Sequence, residues 1–467
     1  MSLNNGNGNH EYYEFLKQKH IEDLPSGFNK DFKIHPKLFP FQRDIVKWAL
    51  RRGRAAIWAD CGLGKTFISL EWARHIIDET GKNILILAPL AVTAQTKREG
   101  NKLNIPVNIC RTKFDVKDGI NITNYEMLDR FDAKDFIGVV CDESGILKSL
   151  SGKIRTTLIR KFALTPYRLA CTATPAPNDY MELGNHSEFL GVMRRTEMLS
   201  MFFNHDGGET SKWRLKGHAE GAYWKWLCSW AVMLKRPHDL GYKDEKGFNL
   251  PELFYEEHLI KTDKVSDGEL FIKEAVTLND QQRARRSTII ERAQFCGSLV
   301  NQSSDRWLVW CNLNDESTEI SKSIKESVEV RGSHSLEYKE SKLMDFAEGK
   351  IKCLISKPSI CGHGLNFQNC HNVAFVGLSH SYEQLYQAVR RCWRFGQEHP
   401  VKVHIITSDI EGAVLRNIKR KEANAEKFVL NMIRQMHELN VKNIKGAQKD
   451  VTVYRPNLKM EVASWML

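Results

Sequence analysis

The chain has 467 residues, 42% hydrophobic and 27% charged, with 13 prolines, no low-complexity run, and 68 basic against 57 acidic side chains for a net charge of +11. That length allows two or three domains, each with a full core, and no uncharged apolar stretch approaches bilayer length, which excludes a spanning helix. The basic surplus favours a polyanionic partner, although lysines spread over a large surface would give the same balance.

Residues 1–34 read as a polar N-terminal leader (MSLNNGNGNHEYYEF at its start) without the charged-then-apolar layout of a signal peptide, so a soluble, intracellular protein is expected. Residues 35–189 alternate short apolar runs with helical patterns. The runs are AAIWA (55–59), NILILA (83–88), IGVVC (137–141) and YRLAC (167–171). Continuous apolar strands separated by helices predict a parallel sheet covered on both faces.

Residues 190–295 break the rhythm and read as a helical insertion and linker. The periodicity of AYWKWLCSWAVML predicts one helix with Trp226, Trp230 and Leu234 on one side, a core stripe rather than a stacking surface for bases. An Arg-rich helix is expected over 281–294. Residues 296–430 return to strands, WLVWC (307–311), KCLIS (352–356), NVAFV (372–376) and VKVHIIT (401–407), with helices around 314–328, 338–348 and 381–392. Residues 431–467 form a C-terminal segment whose polar helix NMIRQMHELNVKNIKG packs on a lobe or on a partner. The predicted fold class is α/β, with two parallel-sheet lobes, a helical insertion between them and a ligand in the cleft.

The eleven cysteines are scattered as singletons, and several, such as Cys141 and Cys353, sit inside apolar runs, the pattern of buried, reduced thiols. Cys361, Cys370 and His371 are poorly spaced for zinc and lack a fourth ligand.

The sharpest chemical signal is ADCGLGKT (59–66), between the strand AAIWA and a helical run. Gly62, Leu63 and Gly64 form a loop whose backbone N–H groups can turn toward phosphate oxygens at the positive end of the new helix. Lys65 can reach the β- and γ-phosphates and the Thr66 hydroxyl can ligate Mg2+. A second carboxylate position follows in VVCDESG (139–145): Asp142 could hold Mg2+, through water, and Glu143 could polarise the attacking water. Together they predict NTP hydrolysis.

FPFQRDIVKWAL (39–50), ADCGLGKT, LILAPLAVTAQTKRE (85–99), ITNYEML (122–128), CDESGILK (141–148) and CTATPAPNDYMEL (171–183) follow one another in the order of a known motor. ISKPSICGHGLNFQNCHNVAFVG (355–377) and YEQLYQAVRRCWRFGQEHPVKVHIIT (382–407) continue it. Over roughly residues 36–425 the chain resembles the superfamily-two helicases, most of all the Swi/Snf branch of DNA translocases, whose two lobes are RecA-like.

The resemblance implies ATP and Mg2+ as ligands. It places Gln42 on the adenine edge, makes Thr172 and Thr174 the segment coupling nucleotide to nucleic acid, and puts Pro89, Thr93, Thr123, Asn124 and Tyr125 along the track. Gly364, Leu365 and Asn366 would sit in a loop that senses both ligands, while Gln387, Arg391 and Arg394 would meet ATP across the cleft. Asp-Glu-Ser-Gly stands where the branch usually has Asp-Glu-Ala-His, so the contact made by that histidine is lost or replaced. If Ala388–Pro400 begins as a helix, Gln387, Arg390, Arg391 and Arg394 share one face. Arg390 has no counterpart role and could meet phosphate, an acidic neighbour or nucleic acid.

The implied activity is an ATP-dependent motor on nucleic acid, duplex DNA foremost. The rivals are a strand-separating DNA or RNA helicase and an ATP-switched regulatory subunit of a restriction, defence or replication complex. A cytoplasmic monomer in a bacterial or phage-infected cell is expected, with any protein partner docking on the insertion or the C-terminal segment.

Overall fold

The computed structural model describes residues 25–89, 92–148, 152–176, 179–205, 213–245, 247–261, 285–361, 366–379, 381–408 and 412–445. Its strands are β1 (Arg54–Ala59), β2 (Ile84–Ala88), β3 (Val107–Ile109), β4 (Ile120–Asn124), β5 (Gly138–Asp142), β6 (Tyr167–Cys171), β7 (Phe203–His205), β8 (Trp213–Leu215), β9 (Ala231–Leu234), β10 (Leu253–Ile260), β11 (Trp307–Cys311), β12 (Ser327–Val330), β13 (Cys353–Ser356), β14 (Asn372–Val376) and β15 (Val401–Ser408). They form a seven-stranded sheet in the order β3-β4-β2-β5-β6-β1-β9, a six-stranded sheet in the order β10-β15-β14-β11-β13-β12, and the pair β7-β8. Both large sheets are parallel throughout. The α/β two-lobe architecture is therefore present as the strand pattern predicted.

Burial explains why these runs became parallel strands. On β1, Ala56 and Trp58 enter the core on one face of the sheet, while Ala55, Ile57 and Ala59 enter the core on the other. Side chains alternate at a period of two, so a strand apolar at every position demands cover on both faces. In chain order β1 is followed by β2, yet β6 and β5 lie between them in the sheet. Such a reversal opens a crevice at the carboxyl ends of the strands. The segments after β1 and β5 carry the phosphate loop and the acidic pair into it.

The segment expected as a helical insertion is divided between the lobes. The helix Glu220–Trp230 ends at Trp230, and Ala231 is extended. AVML becomes β9, the edge strand beside β1, with all four residues buried. β10 joins the other sheet beside β15, and the helix Ile289–Asn301 contributes Ala293, Cys296 and Val300 to that lobe's core. An apolar stripe of helical period ran unbroken into an apolar strand, which is why one helix was predicted. The tryptophans are core: Trp226 and Trp230 are buried with ring centroids 5.3 Å apart, and Trp58 meets Trp230 edge-on.

The C-terminal boundary is also displaced. One helix, Gly412–Lys445, runs unbroken for 34 residues through the position where a segment boundary was expected. Val414 and Ile418 are buried in the core of the second lobe, whereas Met432, Met436 and Ile444 are buried in the cores of the first. The helix fastens to the first lobe by polar contacts as well, with Asn443 Nδ2 donating to Cys228 O at 3.0 Å and Asn431 Nδ2 to the Tyr180 hydroxyl at 2.9 Å. No helix among the described residues is long and apolar enough to cross a membrane.

Candidate nucleotide site between the lobes

β1 ends at Ala59, the chain turns through Asp60–Gly64, and the helix Lys65–Thr80 begins. Gly62 and Gly64 have φ of 90° and 78°, in the left-handed region where a side chain is strained. A Cβ on Gly64 would lie 2.3 Å from Gln42 Nε2, so the loop closes only on glycine. Gln42 sits in the first turn of the helix Pro40–Arg52; its Nε2 donates to Leu63 O at 2.9 Å and its Oε1 accepts from Phe39 N at 2.9 Å. In this arrangement Gln42 fixes the loop rather than presenting a free edge to a base. Lys65 Nζ turns back to donate to Ala59 O at 2.9 Å.

Asp142 closes β5 and Glu143 follows with φ 52°, a left-handed conformation that a non-glycine residue holds at a cost. Glu143 N donates to Asp142 Oδ1 at 3.1 Å, and the buried Tyr125 hydroxyl donates to Asp142 O at 2.7 Å. Burial, then the charge of Glu143, pushes the Asp142 carboxyl up to about 7 against the pull of Lys65 and Arg391.

The other lobe completes the ring. The helix Tyr382–Val389 ends before the arginines, so Arg390, Arg391 and Arg394 lie on a turn and diverge, instead of sharing a helical face. Arg391 and Arg394 line one cavity with Gly62, Gly64, Lys65, Thr66, Asp142 and Glu143. Burial, then repulsion by Arg391, pushes the Arg394 guanidinium down to about 10. Two crowded guanidiniums beside a lysine and a glycine loop are a donor set for a polyphosphate. The cavity is about 70 Å³, far below the about 300 Å³ of the smallest ordinary ligand pockets. As it stands the cavity is too small for a whole nucleoside triphosphate, which would need more room than this arrangement of the lobes gives.

Arg390 takes the acidic neighbour. Its Nη2 donates to Asp60 Oδ2 at 2.9 Å and to Cys61 O at 2.7 Å, so a buried ion pair joins the second lobe to the phosphate loop. The Tyr386 hydroxyl and Cys61 N both donate to Asp60 Oδ1. Removing one partner of a buried pair leaves an uncompensated charge, at a cost of about 3–5 kcal/mol. Arg390→Ala should therefore lower the melting temperature sharply, and adding Asp60→Asn in that background should recover much of the loss in a double-mutant cycle.

A second bridge lies beside it. Lys148 Nζ donates to Glu383 Oε1 at 2.7 Å and to Thr174 Oγ1 at 3.1 Å, and Thr174 Oγ1 donates to Glu383 Oε1 at 2.8 Å. Thr174 N donates to Thr172 Oγ1 at 3.2 Å. The Thr172–Thr174 segment is thus tied to the helix of the second lobe that leads to Gln387 and Arg391. Where the acidic motif lacks its usual histidine, His186 arrives from the helix Leu183–Leu190 and lies 3.2 Å from Ser144 Oγ. Burial, then the Lys148 charge, pushes His186 down to about 3, so the ring is neutral.

The residues expected along the track divide. Pro89 and Tyr125 line a wide cleft between the lobes, of about 960 Å³, with Glu143, Gln384 and Gln387. Its charged lining is mixed and acidic on balance, Lys97, Arg98 and Lys339 against Glu126, Glu143, Glu337, Glu340 and Glu383. Thr123 and Asn124 are 1% and 5% exposed, and Asn124 Oδ1 accepts from Met127 N at 3.0 Å, so both support the fold instead of facing a track. Thr93 is likewise buried. Asn366 Oδ1 accepts from Gln95 Nε2 across the cleft at 3.3 Å. Gly364 and Leu365 lie outside the described residues.

Sequence comparison decides the family of the second lobe: residues 291–396 match the family "Helicase conserved C-terminal domain". That lobe is similar to the C-terminal domain of superfamily-two helicases. The helicase likeness extends over the chain. Protein p41 of Acyrthosiphon pisum secondary endosymbiont phage 1 is 25% identical over 452 residues, covering 82% of this chain and 96% of that protein. The DNA annealing helicase and endonuclease ZRANB3 of Bos taurus is 23% identical over 442 residues, 84% of this chain and 40% of that protein. The SWI/SNF-related matrix-associated actin-dependent regulator of chromatin subfamily A-like protein 1 of Xenopus tropicalis is 23% identical over 423 residues, 81% of this chain and 43% of that protein. The chain is thus distantly similar to these proteins and spans about two fifths of the length of the last two. A helicase domain of this superfamily implies ATPase activity.

Proposed function

We propose that the chain hydrolyses ATP in the cleft between its lobes and uses the resulting closure and opening to move along duplex DNA. The observation that carries this reading is the single cavity lined by Lys65, Asp142 and Glu143 from one lobe and Arg391 and Arg394 from the other. A site split in this way is complete only when the lobes close, which makes chemistry depend on conformation. Thr66 and Asp142 would hold Mg2+, which when bound neutralises phosphate charge; a buried carboxylate pressed against Glu143 suits such a cation. The wide cleft beginning at Glu143 and Gln387 is the proposed path of the nucleic acid, with Lys97, Arg98 and Lys339 as the candidate phosphate contacts.

ATP turnover titrated with duplex DNA, single-stranded DNA and RNA at two salt concentrations tests this. Stimulation by duplex DNA that weakens with salt is expected. Stimulation by RNA alone would overturn the DNA reading, and turnover indifferent to every nucleic acid would overturn the motor.

Asp142 adds a pH test. A carboxyl held above its ordinary value of 3.8 at about 7 favours the protonated acid in the fold. Its contribution to stability is present below the ordinary value and is lost as pH rises through the folded one. Without Mg2+, Asp142→Asn should be more stable than the parent at alkaline pH by an amount on the order of a few kcal/mol. The gap should close at acid pH, and added Mg2+ should narrow it by stabilising the parent.

A further inference from the structure

We propose that Glu256, His258 and His404 form a binding site for a divalent transition-metal ion, with zinc as the expected occupant. Glu256 and His258 stand two residues apart on β10 and so project from one face of the strand. His404 on β15 is the direct cross-strand partner of Glu256, which puts its side chain on the same face. His258 Nε2 lies 3.1 Å from His404 Nδ1, and Glu256 Oε2 lies 3.2 Å from the same nitrogen.

Within the cluster, one ring nitrogen cannot serve both neighbours with a single hydrogen bond. A ring nitrogen carries either one proton or one lone pair in the ring plane. If His404 Nδ1 is protonated, the carboxylate and the acceptor on His258 compete for one hydrogen. If it is not, its lone pair faces the carboxylate at 3.2 Å. A cation at the centre satisfies all three donors at once. Zinc bonds of about 2.0–2.1 Å in tetrahedral geometry place neighbouring donor atoms about 3.3 Å apart, close to both observed separations.

The rings are held for the purpose. His404 is buried with its centroid 5.1 Å from Trp307, and His258 lies 5.0 Å from Phe295. Glu256 is 44% exposed, which leaves an approach for the ion and a water at the fourth position. Two histidines and one carboxylate suit a borderline cation better than Mg2+ or Ca2+, which prefer oxygen. Among the described residues β10 is an edge strand, paired only with β15. The bound ion would rivet the strand that first enters the second lobe to the strand that leaves it.

The full chain, stripped with chelator and titrated with Zn2+ against a chromophoric chelator, should bind a single high-affinity zinc ion. Glu256→Gln with His258→Gln, both on partly exposed positions, should weaken binding by at least about tenfold. X-ray absorption of the zinc-loaded parent should show nitrogen and oxygen at about 2.0–2.1 Å and no sulfur at about 2.3 Å, and it decides the matter even if the variant fails to fold. No saturable binding by the parent, sulfur in the shell, or equal binding by a folded variant would each overturn the proposal.

Discussion

Glu143→Gln should bind ATP as the parent does and turn it over about 10²–10⁴ times more slowly, the range for losing a general base. Glu143 lines both the small cavity and the wide cleft, so its carboxylate stands where the nucleotide space meets the proposed track. The change keeps the shape and the hydrogen-bonding ends of the side chain and removes its basicity. Backbone strain at φ 52° is the same for glutamine as for glutamate, so folding should be preserved. Pre-steady-state binding of a fluorescent ATP analogue, alongside phosphate release, separates the two effects. Unchanged phosphate release would remove Glu143 from the chemistry and favour a chain that uses ATP only as a switch.

Arg391→Ala should lower kcat by about a thousandfold, as expected of an arginine that stabilises transition-state charge from across a cleft. The same variant should be more stable than the parent without nucleotide. Repulsion by Arg391, after burial, is what pushes the Arg394 guanidinium down to about 10, and truncation relieves it. A stabilising but inactivating substitution is the signature of a site strained for an anion. Inorganic phosphate should raise the melting temperature of the parent more than that of the variant. If Arg391→Ala melts lower and phosphate protects both equally, the two arginines serve the fold rather than the nucleotide.

Much of the fold was legible because its strands are unusual. ILILA is apolar at every position and GVVCD at every position before its closing aspartate, and a parallel sheet covered on both sides buries such runs entirely. The phosphate loop was legible for a local reason, since strand, glycine turn and lysine at a helix start all lie within one short segment. Pairings between distant residues were not. Arg390 meets Asp60 and Lys148 meets Glu383 only because the lobes face each other, and no periodicity records that. Lys148 stood inside CDESGILK without a role, and His186 lay outside every motif. AVML was misjudged because an apolar run after a Trp-rich helix keeps the same hydrophobicity when it turns into a strand. Thr123 and Asn124 were placed by position along the chain, which says nothing about which way a side chain faces.

The helix Gly412–Lys445 restricts how the two lobes could move in the proposed motor. At about 1.5 Å per residue it is a rod on the order of 50 Å long, with Val414 and Ile418 anchored in one lobe and Met432 and Met436 in the other. A straight pulling apart of the lobes would have to drag a methionine pair out of its core. Swivelling about the rod, or bending it in the largely exposed stretch between Ile418 and Ala425, disturbs fewer buried contacts. If the proposed motor reading holds, the linkage would act as a torsion bar, favouring a twist that returns elastically to the clasped state.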